Sequence, residues 1–376
     1  MKITKFPTPI YVTRPLLPDR ENMFRELAEI WDSQWLTNMG KKHNQLENEL
    51  KTELKVHHLS LFNNGTIALL TAIKAFNFPP GSEIITTPFT FAATTHCIVW
   101  NGFTPIFCDI EPETMTIDPQ KIESLITPKT VAILPVHVYG FPCDVNRIQE
   151  IADHHHLKVI YDGAHVFSTT IHGNGIGSYG DITMFSFHAT KLFNTVEGGC
   201  LAYSDPALQQ KLCNLRNFGI RDEETVEAVG INGKMNEVQA AIGLLNLRIY
   251  REEQEKRIKI RAQYKKMLHG IKGIKIPEFK KGITDSAQYF PIIIENASVT
   301  RDMLYTMLKE YNIFARKYFY PITAEFPFYR NLSSAKQKNL PVAFARKEQI
   351  LCLPFYGALS ESDITNICNI IKTILR

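Results

Sequence analysis

Three short segments carry side chains that could do chemistry together. In Val159-Ile160-Tyr161-Asp162-Gly163-Ala164-His165 an apolar run ends in an acid followed by small residues. Ligands of open α/β sheets bind beyond the carboxyl ends of the strands, which places Asp162 where a ligand would lie. The same acid could instead cap the next turn. A second segment, Asp181 to Lys191, runs from an apolar stretch into Ser186, His188, Thr190 and a lone Lys191, followed by Glu197-Gly198-Gly199. A lysine at the end of a buried strand is costly unless it is paired, neutral or covalently engaged. A Schiff base with an aldehyde cofactor accounts for it, because desolvation lowers the amine's pKa into a useful range. A surface lysine on a loop is the plainer alternative. In the third segment, Asn63-Asn64-Gly65-Thr66-Ile67-Ala68, a glycine turn opens directly into a helical pattern. Unspent backbone N–H groups and the Thr66 hydroxyl form a phosphate cradle there, although many helices start this way.

Two other patterns point elsewhere and fail on context. Gly175-Ile176-Gly177-Ser178-Tyr179-Gly180 matches GxGxxG, but a dinucleotide fingerprint needs a strand before it and a helix after it. Here the strand-like Ile182 to Phe187 follows, so the run reads as a turn. His154-His155-His156 are adjacent, whereas zinc-binding pairs on a helix need spacings of three or four. They read as a solvated helix end. The seven cysteines are dispersed with no CxxC pair, which reads as free thiols in a reducing compartment and assigns no metal site.

The elements that must position the three segments alternate. Short apolar runs at Glu83 to Thr87, Pro105 to Asp109, Val131 to Val136 and Lys158 to Asp162 read as buried parallel strands. Helical patterns at Thr66 to Ala75 and Gln120 to Leu125 lie between them, the second opened by Asp118-Pro119. This predicts an α/β fold with a central sheet. Leu247 to Leu268 is highly charged and reads as one long helix. Beyond it, the apolar run Tyr289 to Ile294 and helices at Thr300 to Tyr311 and Ser360 to Leu375 suggest a smaller α+β domain. The boundary is placed near Tyr250, giving a large domain over 1–250 and a small one over 251–376.

Composition excludes several classes. Of 376 residues, 42 are Lys or Arg and 38 are Asp or Glu. A net charge of +4 over this length argues against nucleic-acid binding by bulk electrostatics. No apolar run approaches the ~20 residues of a membrane span. The N-terminus lacks the apolar core of a signal peptide, so a cytoplasmic location is expected.

Taken together, the chain resembles the DegT/DnrJ/EryC1/StrS family of pyridoxal-phosphate-dependent sugar aminotransferases. The matching residues include Trp35 to Gly40, Asn64-Gly65-Thr66, Pro88 to Thr94 and Val136 to Gly140. They continue through Asp162 to His165, Phe185 to Lys191, Glu197-Gly198-Gly199, Gly230 to Met235 and Gln239-Ala240-Ala241. The resemblance implies the aspartate-aminotransferase-like fold of type I PLP-dependent transferases, with a large, mainly parallel mixed sheet. It implies that Lys191 carries pyridoxal 5'-phosphate as a Schiff base while Asp162 keeps the ring nitrogen protonated. His165, where many relatives have Gln, would hydrogen-bond the phenolic oxygen, and Phe91 would stack on the ring. Gly65, Thr66 and Ser186 would hold the phosphate, joined by Asn232 from a neighbouring subunit, so that active sites are shared in a homodimer. Lys234 stands where the family usually has Arg, keeping the cation but losing the fork geometry.

Within the family the chain is most similar to sugar 4-aminotransferases making dTDP-4-amino-4,6-dideoxyglucose. The implied reaction moves an amino group from L-glutamate to a 4-keto-6-deoxyhexose nucleotide for surface polysaccharide (O-antigen) synthesis. Amination at C3 of a 3-keto sugar and a catalytically inert relative are the alternatives. A dehydratase of the same fold would have His in place of Lys191. Arg316 and Tyr318, in the loop Arg316 to Pro321, and His188 are the implied substrate contacts. That loop reads equally as a basic surface loop with buried aromatics, and His188 equally as a packing residue.

Overall fold

The computed structural model describes residues 3–376. Its central sheet has seven strands. In chain order they are β1 (His58–Phe62), β2 (Glu83–Thr86), β3 (Thr104–Phe107), β4 (Thr130–Leu134), β5 (Lys158–Asp162), β6 (Ile182–Ser186) and β7 (Gly199–Tyr203). The spatial order is β1-β7-β6-β5-β4-β2-β3. Strands β6, β5, β4, β2 and β3 are mutually parallel. Strand β7 is antiparallel to both of its neighbours, so β1 runs with the parallel set. Six strands therefore deliver their carboxyl ends to one edge of the sheet, and β7 starts there at Gly199.

The apolar runs form buried strands because both faces of the sheet are covered. In β5, Val159 and Tyr161 share a core with Ile148 and Ile151. Ile160 points the other way, into a core with Leu69, Ala72 and Ile73. This is the period-two alternation of a strand with helices on both sides. The longer helices are α1 (Arg20–Ser33), α2 (Lys41–Leu54), α3 (Gly65–Ala75), α4 (Ala92–Trp100), α5 (Val145–His155), α6 (Leu208–Leu215), α7 (Glu237–Leu268), α8 (Arg301–Glu310), α9 (Pro341–Gln349) and α10 (Glu361–Ile374), and a single turn of helix at Pro119–Ile122 follows Asp118. His154 and His156 are exposed at the end of α5, and the glycine run 175–180 is a turn leading into β6.

The long helix α7 begins ten residues earlier than the charge pattern indicated. Asn236 and Gln239 close a capping box at its start. Its first half is buried and small-residue-rich, including Ala240, Ala241, Gly243 and Leu244. A side chain at Gly243 would sit 2.7 Å from Leu46 of α2, so this half lies close against its neighbour. Charge alternation marks only the second half, whose exposed face carries Glu255, Lys256 and Lys259 while Arg257 and Arg261 are buried.

The C-terminal part has its own antiparallel sheet of β8 (Ile274–Lys275), β9 (Phe290–Ile294) and β10 (Ile350–Leu353), in that order. Helix α10 buries Ile364, Ile367, Cys368, Ile371 and Ile374, the i, i+3, i+4 stripe of an amphipathic helix. These residues join Leu304 and Leu308 of α8 over the small sheet. Near the N-terminus, Ile10 and Tyr11 pair in parallel with Ile313 and Phe314, and Phe6 enters the same core. No described helix is long and apolar enough to cross a membrane.

Candidate active site

At the carboxyl edge of the large sheet lies a cavity of about 710 Å³. Asp162 ends β5 and Ser186 ends β6, with Lys191 five residues beyond. The Asp162 side chain is buried and held twice. One oxygen accepts from the Ala164 amide (3.0 Å), the other from the Thr94 hydroxyl (2.8 Å). A carboxylate has about four lone-pair sites, so acceptor capacity remains for the cavity it lines. Burial raises its pKa; the bonds from Ala164 and Thr94 and the charge of Lys191 act against that rise.

Lys191 lines the same cavity, its Nζ 5.9 Å from the centre of the Tyr289 ring. Burial lowers its pKa from the ordinary lysine range to about 8, although Asp162 pulls it upward. About a tenth of this amine is therefore neutral and nucleophilic at pH 7, far more than for an ordinary lysine. The backbone around it is gripped from a distant segment. The buried Gln288 side chain accepts from Leu192 N (2.9 Å) and donates to Thr190 O (3.2 Å), one residue to either side of Lys191.

His165 packs edge-on against Tyr289, 4.9 Å between ring centres. Burial, and then the charge of Lys191, hold its pKa well below the usual histidine value. The ring is neutral at pH 7.

The anion end of the cavity is built from α3. Asn64 caps the helix by accepting from Ile67 N at 2.8 Å. The Gly65 and Thr66 amides remain as unspent donors at the positive end of the helix dipole. Close approach there requires glycine. A Cβ on Gly65 would lie 3.0 Å from Ser186 Cβ, and one on Gly199 would lie 2.8 Å from Gly65 itself. The Ser186 hydroxyl is thus brought against the helix start. Phe91 caps α4 and stays 63% exposed at the cavity rim.

The remaining expected residues divide. His188 lines the cavity, its Nδ1 2.9 Å from Thr190 Oγ1. Arg316 and Tyr318 line it from the C-terminal part, with the guanidinium carbon 5.4 Å from the Tyr318 ring centre. The neighbouring Lys317 turns away to Asp302 at 2.7 Å. Asn232 does not line the cavity of its own chain; it is exposed beside Asn63, whose side chain donates to its carbonyl at 3.3 Å. Lys234 binds Asn217 Oδ1 at 2.8 Å. Thr90, Thr94, Gln288 and Tyr289 were not singled out from the sequence. Thr90 and Thr94 lie within a segment that was matched as a motif without roles.

One cavity thus offers a nucleophilic amine, an acid facing inward, a neutral imidazole, an aromatic rim and an anion cradle. This donor set fits a flat aromatic aldehyde that carries a phosphate and a basic ring nitrogen. The chain is 44% identical over 366 residues to the dTDP-4-amino-4,6-dideoxy-D-glucose transaminase of Escherichia coli, covering 96% of this chain and 98% of that protein. Its fold superposes on the crystal structure of DesI in the presence of its TDP-sugar product, with a TM-score of 0.93, 32% identity and coverage of 98% and 94%. The PLP form of the sugar aminotransferase Spr1654 from Streptococcus pneumoniae gives a TM-score of 0.89 at 26% identity, with coverage of 97% and 98%. Residues 18–372 match the model of one family throughout, and the chain belongs to the DegT/DnrJ/EryC1/StrS aminotransferase family.

Proposed function

We propose that the protein transfers an amino group from L-glutamate to the C4 keto group of a 6-deoxyhexose nucleotide, with dTDP-4-dehydro-6-deoxyglucose as acceptor. The products are 2-oxoglutarate and the 4-amino-4,6-dideoxy sugar nucleotide, a precursor for surface polysaccharide. The observation that carries this reading is the Lys191 amine and the Asp162 carboxylate lining one cavity with the α3 anion cradle. The same convergence speaks against an inert relative of the fold.

The cofactor is pyridoxal phosphate, which supplies an aldehyde that condenses with amines and a cationic ring that draws electrons from the adjoining carbon. The residues divide its binding by chemistry. Gly65 and Thr66 amides and the Ser186 hydroxyl would hold the phosphate. Asp162 would keep a proton on the ring nitrogen. His165 would donate its free N–H to the phenolic oxygen, and Phe91 would cover one ring face. Lys191 would hold the aldehyde carbon through its Nζ. When free, that Nζ would move the proton from the amine-bearing carbon of the donor to the carbon it had held, and in the second half-reaction would carry a proton from there to the sugar carbon. Arg316 would meet the diphosphate, and Tyr318 and His188 would border the sugar.

The protein would act as a homodimer with shared sites, Asn232 reaching the partner's phosphate. In support, Asn232 stands apart from its own cavity on an exposed segment that also presents Phe218, Val226 and Val229, the last 86% exposed. Incubation with glutamate and a panel of 3-keto and 4-keto sugar nucleotides on dTDP, UDP and GDP carriers tests the reading. The amine position is assigned by NMR. Product only at C3, or none, would overturn it.

A further inference from the structure

We propose that Thr94, backed by Thr90, is a positioning residue that keeps Asp162 an ionised carboxylate with its spare lone pairs toward the cavity. The inference rests on the reading of Asp162 as the partner of the cofactor's ring nitrogen, and it adds what enforces the charge state of that partner.

The geometry is a three-member chain of oxygens. Thr94 Oγ1 lies 2.8 Å from Asp162 Oδ2 and 2.7 Å from Thr90 Oγ1. Thr90 is 3% exposed and Thr94 0%. A threonine hydroxyl has one proton to give. An ionised carboxylate only accepts, so Thr94 donates to Asp162, and Thr90 must then donate to Thr94. In this order every proton has an acceptor.

Protonating Asp162 at a lone pair that faces Thr94 or Ala164 breaks that order. On Oδ2, the new proton would have to be given to Thr94, which would turn its own proton to Thr90. The Thr90 proton then has no acceptor in the protein, and a buried unmade donor is expensive. On Oδ1, the new proton would meet the Ala164 N–H, a group that only donates (3.0 Å). Protonation toward the cavity leaves both bonds in place but turns their acceptor from an anion into a neutral acid, so both weaken, and both bonds therefore favour the ionised form.

This matters because burial works in the opposite direction. The carboxylate is buried and its pKa is pushed upward. The titratable groups facing it are Lys191 from the loop after β6, Cys97 from α4 and His165 across the cavity. The thiol stays neutral, raised to about 12 by burial and then by Asp162, and His165 is neutral as well. Once covalently engaged, the Lys191 nitrogen is a weaker base than the free amine and opposes the effect of burial less. The hydroxyl chain and the Ala164 amide then remain as the groups that keep Asp162 the weaker base, so that a shared proton rests on the ring nitrogen.

The test uses Thr94→Val, which preserves shape, together with Thr94→Ser and Thr90→Val. In the cofactor-free protein labelled with ¹³C-carboxyl aspartate, Asp162→Asn assigns the Asp162 signal. Loss of a hydrogen bond to a charged group should raise Asp162's proton affinity about tenfold or more in Thr94→Val. Thr90→Val should give a smaller rise, and Thr94→Ser should titrate as wild type. In the loaded enzyme, ¹⁵N-labelled pyridoxal phosphate should report a protonated ring nitrogen in wild type and a shift toward the neutral form in Thr94→Val. Unmoved titrations in both Thr94→Val and Thr90→Val would overturn the proposal. Should Thr94→Val fail to fold, Thr90→Val decides in the same two directions. If wild type takes up no pyridoxal phosphate, the cofactor reading falls, while the cofactor-free titration still decides the hydroxyl chain.

Discussion

The backbone N–H of Tyr139 donates to Nδ1 of His165 at 3.1 Å. An imidazole nitrogen that accepts a hydrogen bond carries no proton, so the single proton of this neutral ring sits on Nε2. Among the described residues that N–H makes no bond, and it remains to donate into the cavity that His165 lines. His165→Gln keeps a side-chain N–H donor and should retain substantial activity. His165→Leu removes the donor and should lower kcat by tenfold or more, as loss of a hydrogen bond to a charged oxygen predicts. Equal activity in the Leu variant would remove His165 from the chemistry. The ¹⁵N spectrum of wild type should show the Nε2–H tautomer with no titration at the usual histidine pKa.

Lys191 sets the pH dependence of cofactor uptake. Only the neutral amine attacks an aldehyde, and this amine titrates near 8 rather than in the ordinary lysine range. The rate at which added pyridoxal phosphate develops its visible absorption should rise with pH and level off above about 8. Asp162 raises the Lys191 pKa, so Asp162→Asn should move the midpoint downward. Lys191→Ala should develop no such band and no turnover, while still retaining some cofactor through the phosphate contacts. A midpoint near the usual lysine value would contradict the desolvated amine.

The anion cradle depends on two glycines for different reasons. A methyl on Gly65 meets Ser186 side-chain atoms at 3.0–3.2 Å and Met184 Sδ at 3.2 Å, contacts that side chains can partly relieve. Overpacking of this kind costs about 1–3 kcal/mol. Gly65→Ala should therefore fold and bind pyridoxal phosphate about tenfold more weakly by calorimetry. A methyl on Gly199 meets the backbone of Gly65 at 2.8 Å and has no such relief. Gly199→Ala should lower Tm markedly as well as weaken binding. Wild-type affinity in both variants would separate this edge from the phosphate.

The residues that could be read from the sequence are those whose own neighbours announce them. Asp162 and Lys191 each follow an apolar run, and the end of such a run in an α/β chain is a ligand position. Gly65-Thr66 precedes a helical pattern. Thr90 and Thr94 carry no such signal. They look like the lead-in and first turn of α4, and only the fold brings the Thr94 hydroxyl, with Thr90 behind it, onto the Asp162 carboxylate. Gln288 is 96 residues from the amide it holds, and a neutral side chain ahead of a strand suggests nothing catalytic. The early start of α7 was hidden for a related reason: a buried helix half shows no charge alternation.

Two further histidines make the fold acid-sensitive. Burial lowers the pKa of His43 to about 4, with Arg216 adding to the drop, and lowers His137 to about 3. At pH 7 both are neutral whether folded or unfolded. As pH falls below 6.5 the unfolded chain takes up protons that the folded chain refuses, so stability declines. Each such histidine contributes a slope of about 1.4 kcal/mol per pH unit. Urea melts between pH 6.5 and 5 should show this decline, and His43→Gln should flatten it by about one proton. An unchanged slope in that variant would mean that His43 is protonated in the folded protein.

A shared active site can be tested by mixing two defective proteins. Lys191→Ala has no amine at its own cavity, and Asn232→Ala lacks the side chain assigned to the partner's phosphate. In a hybrid dimer, the cavity of the Asn232→Ala chain contains Lys191 and receives Asn232 from the Lys191→Ala chain, and is complete. The other cavity lacks both. Co-refolded or co-expressed mixtures should therefore regain activity well above the sum of the two parents, at most about one intact site per hybrid dimer. If Asn232 served its own chain's cavity instead, no hybrid site could be complete, and the mixture would show only the residual activity of Asn232→Ala. The exposed Phe218, Val226 and Val229 on the same segment supply the independent check. Charged substitutions there should weaken self-association in sedimentation runs, and lower activity in step with the loss of dimer.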